Sequence, residues 1–163
     1  MTQAKKRAMP SDEVLIQAGR ITSNFVLLEC GMTELTHLLL GVPRNIAKTV
    51  TADLSFHAVQ ALAVSLAKER VPAHCAELKK ILRLMKRAEE KKDAVSCFLW
   101  GREIAGGKRR QEQLQSRLRL EEGDLTEAEL LDIAGEIVSL VRDVERFRAS
   151  IEKTLGPASG QPR

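Results

Sequence analysis

The segment Lys91-Lys92-Asp93-Ala94-Val95-Ser96-Cys97-Phe98-Leu99-Trp100 places a cation, a carboxylate and a thiol within six residues, from Lys92 to Cys97. Lys92 can face a phosphate as a point charge, although an ammonium lacks the planar fork with which a guanidinium grips two oxygens. Asp93 and Cys97 are four apart, so on a helix they share a face within hydrogen-bond reach. Cys97 is a poor proton carrier. A thiol with an ordinary pKa of about 8.5, set on an apolar helix face, stays protonated unless a nearby cation lowers that value.

Cations crowd the same region. Lys79, Lys80, Arg83, Lys86, Arg87, Lys91 and Lys92 form one cluster, and Lys108, Arg109 and Arg110 follow soon after. Lys86, Arg87, Lys91, Lys108, Arg109 and Arg110 are the candidates for phosphate contact, driven by counterion release. The competing explanation is solvation, since Lys and Arg favour the C-terminal half of a helix and cover its outer face. Almost no aromatic residue is interleaved, so sequence-specific recognition of single strands is not expected. Glu121, Glu122, Asp124, Glu127, Glu129, Asp132 and Glu136 form an acidic block, within a net charge of +4. Separated charge of this kind suits an anionic partner or self-association.

Other chemistry is poorly represented. His37, His57 and His74 fall on different predicted helices, and Asp53 with His57, four apart, is a pair common in helical proteins. His74 and Cys75 are neighbours pointing about 100° apart, a weak metal site. No glycine-rich phosphate loop, dinucleotide fingerprint, H-E-x-x-H or EF-hand loop is present, so neither metal nor cofactor is expected. Cys30, Cys75 and Cys97 lack C-x-x-C spacing and sit in apolar patterns, which predicts reduced, buried thiols.

The elements that must position these residues are helical. The chain has 163 residues, 44% hydrophobic and 29% charged, enough for one core, and its lack of Tyr disfavours sheet. Ser11 caps a first helix whose Val14, Ala18, Ile21, Phe25, Leu28, Met32, Leu35 and Leu39 recur at steps of three and four. Gly31 interrupts it at a cost of about 1 kcal/mol, which another backbone passing there would explain, a merely tolerated glycine being the equal alternative. Gly41-Val42-Pro43 ends the helix, and Asn45–Thr51 makes a short helical piece. Asp53 or Ser55 then caps a second main helix to about Arg70. Pro72 opens a third, with a stripe of Cys75, Leu78, Leu82 and Met85 flanked by Ile81, Leu84 and Ala88. Gly101, Gly106 and Gly107 break it, and Ser116–Leu120 reads as a short irregular or β-like connector. Thr126 and Glu129 form a capping box for a last helix through Leu130, Ile133, Ile137, Leu140, Val144, Phe147 and Ile151, stopped by Gly156-Pro157.

The expectation is all-α: an up-down four-helix bundle over residues 11–155 with two long helices, a basic disordered tail at 1–10 and a disordered tail at 156–163. Leu131, Ala134, Val138 and Val141 widen the last helix's apolar face, favouring bundle burial over a bare coiled coil. No uncharged stretch of about 18 residues occurs, so a cytoplasmic protein without membrane contact is expected.

Lys92, Asp93, Cys97 and Trp100 stand where bacterial HEPN-like proteins, which the segment resembles, carry Arg, a polar residue, His and, in many members, a Trp. Glu29 after Phe25, the helix start at Leu54-Ser55-Phe56 and the Thr126-capped last helix extend the resemblance over residues 12–155. It implies a helical bundle that dimerises with its motif helices facing. In active members the Arg holds the scissile phosphate while the His moves a proton from the neighbouring 2′-hydroxyl, without metal. Here both chemical positions differ, Lys92 for Arg and Cys97 for His. The resemblance therefore implies a homodimer with an inactive nuclease centre that binds RNA or a protein partner. Two alternatives accompany it: an active metal-independent endoribonuclease or toxin using Lys92, Asp93 and a histidine such as His57, and a structural adaptor with no nucleic-acid role.

Overall fold

The computed structural model describes residues 10–100 and 126–156. Lys108, Arg109, Arg110, the connector that includes Ser116–Leu120, and the tails at 1–9 and 157–163 lie outside the described residues. Among the described residues every regular element is helical and no strand occurs.

Helix α1 spans Asp12–Leu40. It begins where the sequence supplies a cap: the Ser11 hydroxyl accepts the Val14 amide, and Asp12 and Glu13 sit in the positive first turn. It ends at Gly41, whose φ of 65° is the left-handed region that glycine enters without a Cβ clash. The guanidinium of Arg70 adds a cap from outside the helix, donating to the Leu39 carbonyl at 2.7 Å. Helix α2 covers Arg44–Thr51 and α3 covers Phe56–Arg70. Ser55 rather than Asp53 caps α3, accepting the Ala58 amide at 3.2 Å. Pro72 opens a 3-10 turn, Pro72–His74, that feeds α4, Cys75–Trp100. Helix α5, Glu127–Leu155, starts with the full capping box between Thr126 and Glu129.

The three-four stripes become one core. Ile21, Phe25, Leu28, Met32, Leu35 and Leu39 of α1 are buried against Val59, Ala63 and Ala67 of α3, Leu78, Ile81 and Met85 of α4, and Leu130, Ile137, Leu140, Val144, Phe147 and Ile151 of α5. Each fully buried large side chain contributes about 1.5–3 kcal/mol. Helix α1 packs most extensively on α5, then on α3. Of the second row on α5, Ala134 is buried and Val141 packs at the core edge, whereas Leu131 is exposed.

The directions of the helices correct the up-down expectation. Phe25 meets Phe56 near the start of α3, and Leu39 meets Arg70 at its end, so α1 and α3 run the same way. The reason is the short α2. Thr51 at its end returns to His37, with Oγ1 2.8 Å from Nε2, and residues 52–55 then carry the chain back so that α3 starts level with Phe25. Helix α4 runs opposite to α5, as the His74–Thr154 and Lys91–Glu136 contacts show, one near the start of α4 and one further along it.

Two smaller expectations also change. Cys30 is exposed, because it falls off the stripe between Leu28 and Met32; Cys75 is half-buried and Cys97 buried. A Cβ at Gly31 would meet the Val144 side chain at 3.2 Å, so a side chain of α5 approaches there, not a backbone.

Candidate functional site

The apolar seam of α4 runs Leu78, Ile81, Met85, Ala88, Lys92, Val95, Leu99, in alternating steps of three and four. Every member but Lys92 is apolar. The lysine therefore enters the fold at a core position, facing α1, with its side chain only 26% exposed. Its ammonium stands over the Phe25 ring, 4.7 Å from the centroid, and 3.2 Å from the Asp93 carboxylate. The stem lies along apolar surface and the charged head is held at the edge, the usual arrangement for a lysine in such a place. Lys92 also lines a cleft between α1 and α4 with Leu15, Ala18, Thr22, Val95 and Leu99, and among the described residues it is the charged group there.

The three motif residues do not converge. Asp93 and Cys97 lie one turn apart on the same side of α4, as their spacing predicts. Lys92 and Cys97, five apart, diverge by about 140° around the helix. Cys97 is buried although it lies off the seam, which removes its thiol from any solvent-borne substrate. The Trp100 side chain lies outside the described residues.

A second group gathers next to Lys92. The Phe25 ring meets Phe56 edge-on at 5.9 Å, Phe56 stacks on His57 at 6.4 Å, and His57 Nε2 lies 3.7 Å from the Glu89 carboxylate. His57 is 70% exposed and Glu89 26%. Glu89 stands one turn before Asp93 on α4, so the His57–Glu89 pair lies one helical turn from the Lys92–Asp93 pair. Phe56 and His57 come from the first turn of α3, whose start beside Phe25 is fixed by the α2 excursion. Glu89 carried no signal in the sequence, being one of several acids on a charged helix, and its partner is distant in the chain.

The basic cluster divides. Lys91 turns toward α5 and forms an ion pair with Glu136, and Lys92 is engaged as described. Lys79, Lys80, Arg83, Lys86 and Arg87 are exposed on the outer side of α4. Of the candidate phosphate contacts, Lys86 and Arg87 thus lie on an open cationic face and Lys91 does not. Among the described residues no group of three or more His, Cys, Asp or Glu is placed to hold a metal ion, and no helix is long and apolar enough to cross a membrane.

Comparison with family models, with curated proteins and with solved structures gives no match.

Proposed function

We propose that this chain is a HEPN-like helical bundle, homodimeric and cytoplasmic, whose nuclease centre is inactive and whose function is to bind RNA. The observation that carries the reading is the division of the cations on α4. The motif lysine is committed inside the fold to Asp93 and the Phe25 ring, and the Cys97 thiol is buried, while five neighbouring cations remain on the open surface. A cation already neutralised by a carboxylate at 3.2 Å is poorly placed to stabilise charge developing on a phosphate. Exposed cations still release counterions when phosphates approach.

The test is incubation of purified protein with labelled RNA in the presence of a chelator, alongside a binding titration at several salt concentrations. Retention that falls with salt and no cleavage are expected. Cleavage abolished by Lys92→Ala sinks the inactive reading. Absence of salt-dependent retention removes RNA as the ligand and leaves the protein-partner or adaptor readings.

One observation favours a second reading, an active metal-independent ribonuclease. His57 is exposed and its Nε2 stands 3.7 Å from the Glu89 carboxylate, an ion-pair distance that needs only a small closure to become the hydrogen bond that orients a histidine to take the proton of a 2′-hydroxyl. Cleavage lost in His57→Ala would establish it.

A further inference from the structure

The five open cations of α4 have a geometry that distinguishes between kinds of RNA. At 100° per residue, Lys79, Lys80, Arg83, Lys86 and Arg87 fall within a sector of about 120°, and at 1.5 Å per residue they extend over about 12 Å. All five are exposed. The row is rigid, since the opposite side of the same helical segment carries Leu78, Ile81, Met85 and Ala88 into the core. No Phe, Trp, Tyr or His lies between Lys79 and Arg87, and the run is bounded by Glu77 before it and Glu89 and Glu90 after it.

Single-strand binders combine a cationic groove with aromatic platforms on which bases stack, each stacked base adding about 1–3 kcal/mol. Among the described residues this face is a ridge with no aromatic platform on it. What it offers is a row of ammonium and guanidinium groups on a rigid helix, and the binding they supply depends on how many phosphates lie within reach. A duplex carries two strands of phosphates and condenses counterions more strongly, so the salt slope per contact is about 0.9 for a duplex against about 0.7 for a single strand.

We infer that the outer face of α4 binds double-stranded RNA through its phosphate backbone, without sequence preference. This rests on the RNA-binding reading and names the class of RNA. With all five cations engaged, the slope of log K against log salt on a duplex is about −4.5.

The test uses the full chain with three fluorescent probes of equal strand length: two RNA duplexes of unrelated sequence and one unstructured single strand, each titrated across a salt series. The expected result is equal affinity for the two duplexes, at least tenfold above the single strand at moderate salt, with a steep slope. The triple variant Lys79→Ala, Arg83→Ala, Lys86→Ala should flatten the slope by about three contacts while retaining the helical circular dichroism of the parent. Binding of the single strand as tight as the duplexes, or a clear preference between the two duplexes, overturns the inference and leaves the RNA-binding reading standing. No binding to any probe overturns both. Duplex binding unchanged in the triple variant overturns the assignment to α4.

Discussion

The Lys92 ammonium stands 4.7 Å from the centre of the Phe25 ring, at a seam position whose other occupants on α4 are apolar. The relationship explains how a residue that reads as a phosphate ligand can be a structural one. The cation–π contact at such a partly exposed site is worth about 0.5–1 kcal/mol and the partly exposed ion pair to Asp93 less than about 1. Each buried methylene of the stem is worth about 0.8 kcal/mol, so packing of the stem outweighs either charge contact.

Lys92→Met should therefore leave stability within about 1 kcal/mol of the parent, because the thioether fills the volume of the stem. Lys92→Ala should lose about 2 kcal/mol, since it removes three methylenes of a stem that is only partly exposed. Urea midpoints of the two variants check the ordering. RNA retention should be the same in Lys92→Met as in the parent, which it would not be if Lys92 were a phosphate contact.

Gly41 and Arg70 form a joint device at the end of α1. A Cβ at position 41 would strike the Arg70 guanidinium, which itself reaches the Leu39 carbonyl. Gly41→Ala should cost about 1–2 kcal/mol for its left-handed backbone alone, with the clash in addition. In an Arg70→Ala background only the backbone part should remain, so a double-mutant cycle by thermal denaturation should show coupling between the two sites.

Gly31 and Gly135 should respond in opposite ways to alanine. Both are helical, and a Cβ at Gly135 meets nothing within 4 Å, so Gly135→Ala should stabilise by about 0.5–1 kcal/mol. At Gly31 the new methyl presses on Val144, which is fully enclosed and has little room to move. Gly31→Ala should be neutral or destabilising, and in a Val144→Ala background the same substitution should become favourable. Chemical denaturation of the four proteins tests the reversal.

The capping box gives α5 a pH dependence of known sign. The Thr126 amide, and then its hydroxyl, bond the Glu129 carboxylate and hold its pKa below the ordinary glutamate value. A carboxyl with a depressed folded pKa supports the fold above its unfolded pKa, and the support is lost as pH falls through the folded one. The stability difference between the parent and Glu129→Gln should thus be present at neutral pH and shrink on acidification below the ordinary glutamate range. A difference that grew on acidification would contradict the assignment.

The helices and their ends were legible in the chain because the signals that set them are local. Ser11, Ser55, Thr126 with Glu129, Gly41 and Gly156 act through hydrogen bonds to amides or carbonyls a few residues away, and the three-four recurrence of apolar residues marks each buried stripe without reference to a partner. The place of Lys92 is legible as well, since the three-four steps from Leu78 to Leu99 pass through that residue. The direction of α3, by contrast, belongs to the packed molecule, and follows from the bond between His37 and Thr51 and the return of residues 52–55. Packing likewise sorted the cations: Lys91 is spent on Glu136 and Lys92 on Asp93 and Phe25, with Lys86 and Arg87 left open. Composition counts charges, but the groups that engage Lys91 and the Lys92 ring contact lie on other helices, and their places depend on how whole elements pack. The pairing of His57 with Glu89 has the same origin, joining α3 to α4 across a contact that no spacing along the chain announces.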